Sequence, residues 1–201
     1  MRLRHAVWAL GLCLGVTAAA AHQPQQRSQA ELMDVLMWNR EPIGGPFTLV
    51  DQHGKRRTDA DFRGKLMLVY FGFTACADVC PTDLQQIGAA IQKLGASGDA
   101  VQPLFITLDP ATDTPKRLAA YVPSFHPRLL GLSGSAAAVD EAARAYRVYY
   151  KKVPGAKASE AVDHSAFIYL MDRDGKYLGF FPPGTPADRM VQVMRPYLAA
   201  R

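Results

Sequence analysis

The chain is short of cysteine. It has three in 201 residues, and Cys13 falls in an N-terminal segment that reads as a leader, so the remainder keeps only Cys76 and Cys80. That count excludes a scaffold held by several disulfides. A single bridge between positions 76 and 80 would close so short a loop that it would restrict the unfolded chain little. A staple joins distant segments, and this pair therefore reads as functional. A dense Lys/Arg run is also missing. Once Arg2 and Arg4 are removed with the leader, the net charge falls from +5 to +3, which argues against nucleic acid as a partner. The sequence has no internal repeat and no low-complexity tract beyond "HQPQQRSQ" at 22–29.

The opening stretch, "MRLRHAVWALGLCLGVTAAAAHQ", carries two arginines, an apolar run at 6–16 and then small residues. That is the order of a secretory signal peptide. The apolar run falls short of the roughly 20 residues of a membrane span. Ala19 with Ala21, and Ala18 with Ala20, satisfy the small-x-small cleavage rule, so cleavage is expected near Ala20 or Ala21; an uncleaved membrane anchor is the alternative. Leu12 is too bulky for lipid attachment at Cys13. The expected organisation is a signal peptide over 1–21, a flexible lead-in over 22–40 and one domain over 41–201. The expected location is outside the inner membrane, periplasmic or tethered to its outer face. About 180 residues are enough for a single domain with a real core.

Within that domain, "PFTLVD" (46–51) reads as a strand ending in the turn "DQHGK". "KLMLVYFGF" (65–73) is a continuous apolar run, the pattern of a strand buried on both faces. In "PTDLQQIGAAIQKLG", Leu84, Ile87, Ile91 and Leu94 recur at spacings of three and four and mark an amphipathic helix. Pro81 suits its first position, Asp83 its positive end and Gly95 its stop. "VQPLFITLD" (101–109) is a second buried strand. "TPKRLAAYVPSF" and "SAAAVDEAARAYRV" are helices opened by Thr and Ser caps. "HSAFIYLMD" (164–172) and "KYLGFF" (176–181) form a hairpin across "RDGK", and a last helix spans roughly 186–199. "AELMDVLMWN" is a short helical piece whose Met33 and Met37 share a face, a packing pattern before a metal one. This order predicts an α/β class with a thioredoxin-like fold, a mixed central β-sheet flanked by helices.

The chemistry centres on "FGFTACADVCPT" (71–82). With Pro81 first in its helix, Cys80 is expected at the N-cap and Cys76 in the turn before it. Free N–H groups at a helix start stabilise thiolate over thiol, and thiolate is both nucleophile and metal ligand. Two cysteines spaced in this way can share one metal or form a disulfide. Three intervening residues, Ala77, Asp78 and Val79, make a wider loop than the two usual in thioredoxin-type redox enzymes, which suits a cation. Of the candidate third ligands, His53 lies in a polar turn, His126 in the loop "SFHPRL", and His22 near the expected mature N-terminus. His164 differs. It follows a loop running from Lys151 through "VPGAKASE" and just precedes an apolar strand, a point that a thioredoxin-like sheet places beside the cysteine helix. Its simpler role is a strand-edge histidine satisfied by a backbone carbonyl. Two thiolates and an imidazole favour a soft or borderline metal, copper first and zinc second.

These residues together resemble the Sco/SenC family of copper chaperones for cytochrome c oxidase assembly. The matching pieces are "IGGPFTLVDQHG", "GKLMLVYFGFTACADVCPTDL", "FITLDPATDTP", "GLSGS", "ARAYRVYYKKV" and "VDHSAFIYLMDRDGKYLGFF", in order from about residue 43 to 181. The resemblance implies a thioredoxin-like fold in which Cys76, Cys80 and His164 bind one copper ion, as Cu(I) or Cu(II). It also implies a copper donor protein upstream and, as recipient, cytochrome c oxidase subunit II or another copper-receiving protein. Two positions depart from the family pattern: Ala77 stands where proline is usual, and Thr112 where arginine is usual. An enzyme, a thiol-disulfide reductase cycling Cys76 and Cys80 on exported cysteine pairs, is the alternative, with Cys76 as the attacking thiol. A peroxidase reading fails because Phe73 and Ala77, not threonine, stand three residues before the two cysteines.

Overall fold

The computed structural model describes Met33, Met37, residues 42–158 and residues 162–199. The expected leader, most of the lead-in and His22 lie outside the described residues. Strand β1 (Thr48–Asp51) turns back antiparallel into β2 (Arg56–Thr58). Asp51 is fully buried at that turn. Its carboxylate accepts the His53 and Lys55 N–H groups at 2.9 and 3.0 Å and the Arg57 Nε–H at 2.8 Å.

The central unit follows. Strand β3 (Leu66–Gly72) leads into helix α1 (Val79–Lys93), and β4 (Val101–Thr107) leads into α2 (Pro115–Tyr121). Then come β5 (Leu130–Ser133), α3 (Ala136–Ala145), a small hairpin of β6 (Tyr150–Lys152) and β7 (Val162–His164), the strands β8 (Ile168–Met171) and β9 (Tyr177–Phe181), and α4 (Ala187–Ala199). Seven strands form one sheet in the order β2-β1-β5-β4-β3-β8-β9. Strands β3, β4 and β5 run parallel; β1, β8 and β9 run antiparallel to the neighbours they join. The mixed sheet expected from the sequence is therefore present.

All seven residues of β3 are buried, because the sheet is covered on both faces. Met67, Val69 and Phe71 point to one apolar layer with Val139 and Ala142 of α3. Leu66, Leu68 and Tyr70 point to the other, with Leu84, Ile87 and Ile91 of α1 and Met190 and Met194 of α4. The alternation is the period-two register of any strand; it reads as a continuous run because neither face meets water.

Three local outcomes differ from the sequence reading. Helix α1 begins at Val79 with Asp78 as its N-cap, so Cys80 is the second helical residue and Pro81 the third. Proline is tolerated there because the first four N–H groups of a helix have no intrahelical acceptor. Asp83, expected at the positive end of this helix, lies near its start but is fully buried, with Oδ1 accepting the Gly184 N–H at 2.8 Å. The two ends of the stretch read as a loop are strands β6 and β7, paired Tyr150 to His164 and Lys152 to Val162. The capping expectations hold at the other helices: Thr114 accepts from the Arg117 N–H and Ser135 from the Ala138 N–H. Met33 is helical and packs against the core, whereas Met37 is helical and exposed.

Helix α1 passes close to the chain before β5. A Cβ on Gly88 would lie 2.3 Å from the Phe125 carbonyl oxygen, backbone that cannot step aside cheaply. Alanine gains about 1 kcal/mol of helix propensity over glycine, but overpacking costs about 1–3 kcal/mol or more, and the contact is a hard one. Gly88→Ala should therefore lower stability in chemical denaturation, by about 1–2 kcal/mol net. A variant as stable as the wild type would contradict this packing.

Candidate metal centre

Topology determines which residues meet. Strand β8 runs antiparallel to β3, with Tyr70 opposite Ile168. Residues just after β3 therefore lie beside residues just before β8. The first group holds Cys76, reached through a turn at 73–76 closed by the Cys76 N–H on the Phe73 carbonyl at 3.2 Å. The second group holds His164 at the end of β7. The neck of the β6–β7 hairpin is closed by reciprocal bonds: the Ser165 N–H donates to the Tyr149 carbonyl at 2.9 Å, and the Tyr149 N–H donates to the Ser165 hydroxyl at 3.2 Å. Phe73 packs edge-on against the His164 ring, centroids 6.0 Å apart.

The result is one cluster. Cys80 Sγ stands 3.7 Å from His164 Nε2. His164 Nδ1 lies 3.1 Å from the Ser165 carbonyl oxygen. A carbonyl only accepts, so Nδ1 carries the proton and the lone pair of Nε2 faces the cysteines. His164 thus makes both contacts weighed for it: a backbone carbonyl satisfies one ring nitrogen and leaves the other aimed into the cluster. Burial pushes the imidazole pKa down, so the ring is neutral at neutral pH, the form that coordinates metals.

The two thiols, both free, are not alike. Cys80 is fully buried and Cys76 half-buried. A hydrogen bond from the Cys80 thiol, with backbone N–H groups of Asp78 and Cys80, pulls the Cys76 pKa down to about 5 against the opposing effect of burial. The same neighbouring sulfur, together with burial, pushes the Cys80 thiol up. The helix start therefore stabilises a thiolate, as expected, but on the residue preceding the helix and not on the one inside its first turn.

A preformed thiolate, a second sulfur and a free imidazole nitrogen fit a soft or borderline cation. Cys80 is in hydrogen-bond contact with both of the others. Among the described residues no three His, Cys, Asp or Glu side chains are already closed around a common point, so binding an ion has to draw the third donor in. The remaining histidines lie elsewhere. His53 is exposed in the β1–β2 turn. His126 is buried, not a free loop side chain, and its Nδ1 accepts the Arg128 N–H at 3.1 Å.

Residues not singled out in the sequence surround the cluster. Asp113 is buried and does not cap α2, whose N-cap is Thr114; it is tied to Thr74, two residues before Cys76. Thr112, where the resemblance would put arginine, leaves neither neighbouring acid unpaired: Asp109 Oδ1 is 3.3 Å from Lys152 Nζ, and Asp113 has Thr74 and Thr107. Tyr70 and Asp83 are fully buried, and Tyr70 interacts with Cys80 and Asp83.

The SCO1/SenC family model matches residues 37–199. Protein sco1 of Schizosaccharomyces pombe is 37% identical over 204 residues, 99% of this chain and 78% of that protein. Among solved structures, Bradyrhizobium japonicum ScoI with copper bound superposes with a TM-score of 0.72 and 43% identity, over 77% of this chain and 99% of that one. BsSco, described as a member of the Sco family of cytochrome c oxidase assembly proteins in which a disulfide switch was identified, gives a TM-score of 0.64 at 25% identity, over 81% and 98%.

The asymmetry of the thiols has a direct readout. In the reduced, metal-free protein, alkylation of Cys76 should accelerate as pH rises through about 5 and level off by neutral pH, while Cys80 stays protected until the chain unfolds. Peptide mapping after timed labelling distinguishes the two. A Cys76 rate still climbing near pH 8.5, where an ordinary thiol ionises, would contradict the geometry.

Proposed function

The chain belongs to the SCO1/SenC family, and from that membership we propose that it is a copper metallochaperone. It carries one copper ion on Cys76, Cys80 and His164 and passes it to a copper-receiving protein in cytochrome c oxidase assembly, subunit II being the recipient that the resemblance names. The relative from Bradyrhizobium japonicum was solved with copper bound, and the donor set here suits the same cargo. The observation that carries the reading is the approach of His164 Nε2 to Cys80 Sγ at 3.7 Å, with Nδ1 tied back to the Ser165 carbonyl. A partner on the remote ring nitrogen is the usual way a protein orients a ligating histidine.

The roles divide by exposure. Cys80 and His164 form the inner wall, and Cys76, a thiolate at neutral pH and half-buried, stands at the mouth. Thiolates favour Cu(I), and the imidazole extends the set to Cu(II). Delivery is then a ligand exchange in which the recipient's donors displace Cys76 first. His164 lies on the short hairpin β6–β7, so a small hinge at its Tyr149–Ser165 neck would move the imidazole toward or away from the sulfurs. Ala77, in place of proline, leaves the cysteine loop more freedom to lose on binding. We place the domain outside the inner membrane, with residues 1–21 as export signal or retained anchor and 22–40 as its tether.

A second reading has its own support. A depressed Cys76 beside a protonated Cys80 is the split of attacking and resolving thiols that disulfide exchange uses, and the relative BsSco has a disulfide switch. As a reductase, the Cys76 thiolate attacks a substrate disulfide and releases one substrate thiol. Cys80 then displaces the second, leaving a Cys76–Cys80 disulfide.

Copper loading separates the readings. Wild type should bind one copper per chain with a sulfur-to-Cu(II) charge-transfer band. Cys76→Ser and Cys80→Ser should each abolish the band. His164→Ala should weaken Cu(II) severely while retaining a two-sulfur Cu(I) site. No stable copper in wild type, with a pair readily reduced and reoxidised, would assign the protein to thiol-disulfide exchange.

A further inference from the structure

Two of the three hydrogen bonds that one buried carboxylate accepts come from the turn leading into the cysteine loop, and the third ties it to the sheet. Asp113 lies in the segment between β4 and α2 and is 1% exposed. Its Oδ2 accepts the Thr74 N–H at 2.9 Å and the Thr107 hydroxyl at 2.7 Å, and its Oδ1 accepts the Thr74 hydroxyl. The Thr74 hydroxyl in turn accepts the Arg117 Nε–H at 2.6 Å, and Arg117 Nε stands 3.6 Å from Asp113 Oδ1. Thr107 ends β4 directly opposite Gly72 of β3, so the carboxylate is fixed to the rigid centre of the sheet. The Asp113 N–H bonds to the Asp109 carbonyl at 2.8 Å, which fixes the carboxylate's own backbone.

We propose that Asp113, acting through Thr74, is a positioning residue for the metal loop, holding Cys76 close enough to Cys80 and His164 that a short movement closes the three around an ion. Thr74 is the second residue of the turn at 73–76 that delivers Cys76, and helix α1 fixes the loop's other end. Three residues, Ala77, Asp78 and Val79, separate the two sulfurs' backbones, with alanine where a proline would stiffen the path. The carboxylate bonds on Thr74 are therefore what sets the first half of the loop. A buried carboxylate is costly unless its lone pairs are used, and here both oxygens are used on this turn and its support. Asparagine is nearly the same size, but its amide nitrogen donates. With its oxygen at the Oδ2 position, its amide nitrogen faces the Thr74 hydroxyl, which must turn its own proton away and already accepts the Arg117 Nε–H, so two donors compete for one oxygen.

The proposal rests on the reading of Cys76 as a ligand, so its test has a readout that needs no metal. Asp113→Asn and Thr74→Val are compared with wild type and with Asp51→Asn, which alters an equally buried carboxylate in the β1–β2 turn, away from the cluster. Three quantities are measured on the full chain: thermal midpoint, copper affinity with its charge-transfer band, and the equilibrium of the pair with glutathione. In that equilibrium, two protein thiols and one glutathione disulfide give the Cys76–Cys80 disulfide and two glutathiones. Asp113→Asn should lower copper affinity about ten- to a hundredfold, the usual effect of losing a partner behind a ligand. It should also shift the band and move the glutathione equilibrium toward the dithiol. Asp51→Asn should lower the thermal midpoint and leave the other two at wild-type values. If Asp113→Asn fails to fold, Thr74→Val decides alone, because Asp113 Oδ2 keeps the Thr107 hydroxyl and the residue-74 N–H, and Oδ1 keeps the Arg117 guanidinium beside it. The double variant should be no worse than the stronger single, since the two residues act as a unit. A glutathione equilibrium and copper band unchanged in Thr74→Val or Asp113→Asn would overturn the assignment. Loss of copper chemistry from the wild type, with the glutathione shift intact, would instead discard the copper reading and keep the positioning role.

Discussion

The antiparallel pairing of β8 with β3 is the constraint on which the site depends. Strand β3 carries the chain outward into the cysteine turn, and β8 carries it back inward just after His164, with Tyr70 and Ile168 in register where the two meet. Neither strand can slip by one residue without turning an apolar face toward the wrong layer, because both faces of the sheet are buried. The register that satisfies the core is therefore the register that sets Cys80 beside a histidine 84 positions later. Packing and site geometry are one condition here.

Around that meeting point the electrostatics are asymmetric by construction. The helix start offers unpaired N–H groups, the Cys80 thiol offers its proton, and both act on the Cys76 sulfur. Burial keeps His164 neutral and its far nitrogen is tied to a carbonyl. Charge is confined to the outermost sulfur. That arrangement suits a carrier, which needs a ligand accessible to an incoming partner and two more behind it. It equally suits disulfide exchange, and the difference between the two lies in which reaction partner arrives.

Much of this was legible in the sequence. Long apolar runs such as 65–73 and 101–109, and the three-four spacing of Leu84, Ile87 and Ile91, mark β3, β4 and α1 without ambiguity because burial on two faces or one leaves a strong pattern. The small elements were not legible. Strands β6 and β7 have three residues each, and only Val162 and Tyr150 among them reach the core, so no hydrophobic period announces them. The start of α1 was misplaced by two residues because proline is acceptable anywhere in a first turn. Asp113 was invisible for a different reason: "DTP" before a helix has the look of a cap, and only the fold brings Thr74, 39 positions earlier, onto its carboxylate. Sequence carries local chemistry well and long-range hydrogen bonds hardly at all.

The central claim is that two sulfurs and one imidazole of this chain share a single copper ion. X-ray absorption at the copper edge, on the full chain loaded with one equivalent, measures that shell directly. Two sulfur neighbours and one imidazole nitrogen in the wild type, with the nitrogen lost in His164→Ala and no stoichiometric copper retained by either serine variant, is the expected result. A shell with a single sulfur, or one made of nitrogen and oxygen alone, would contradict it.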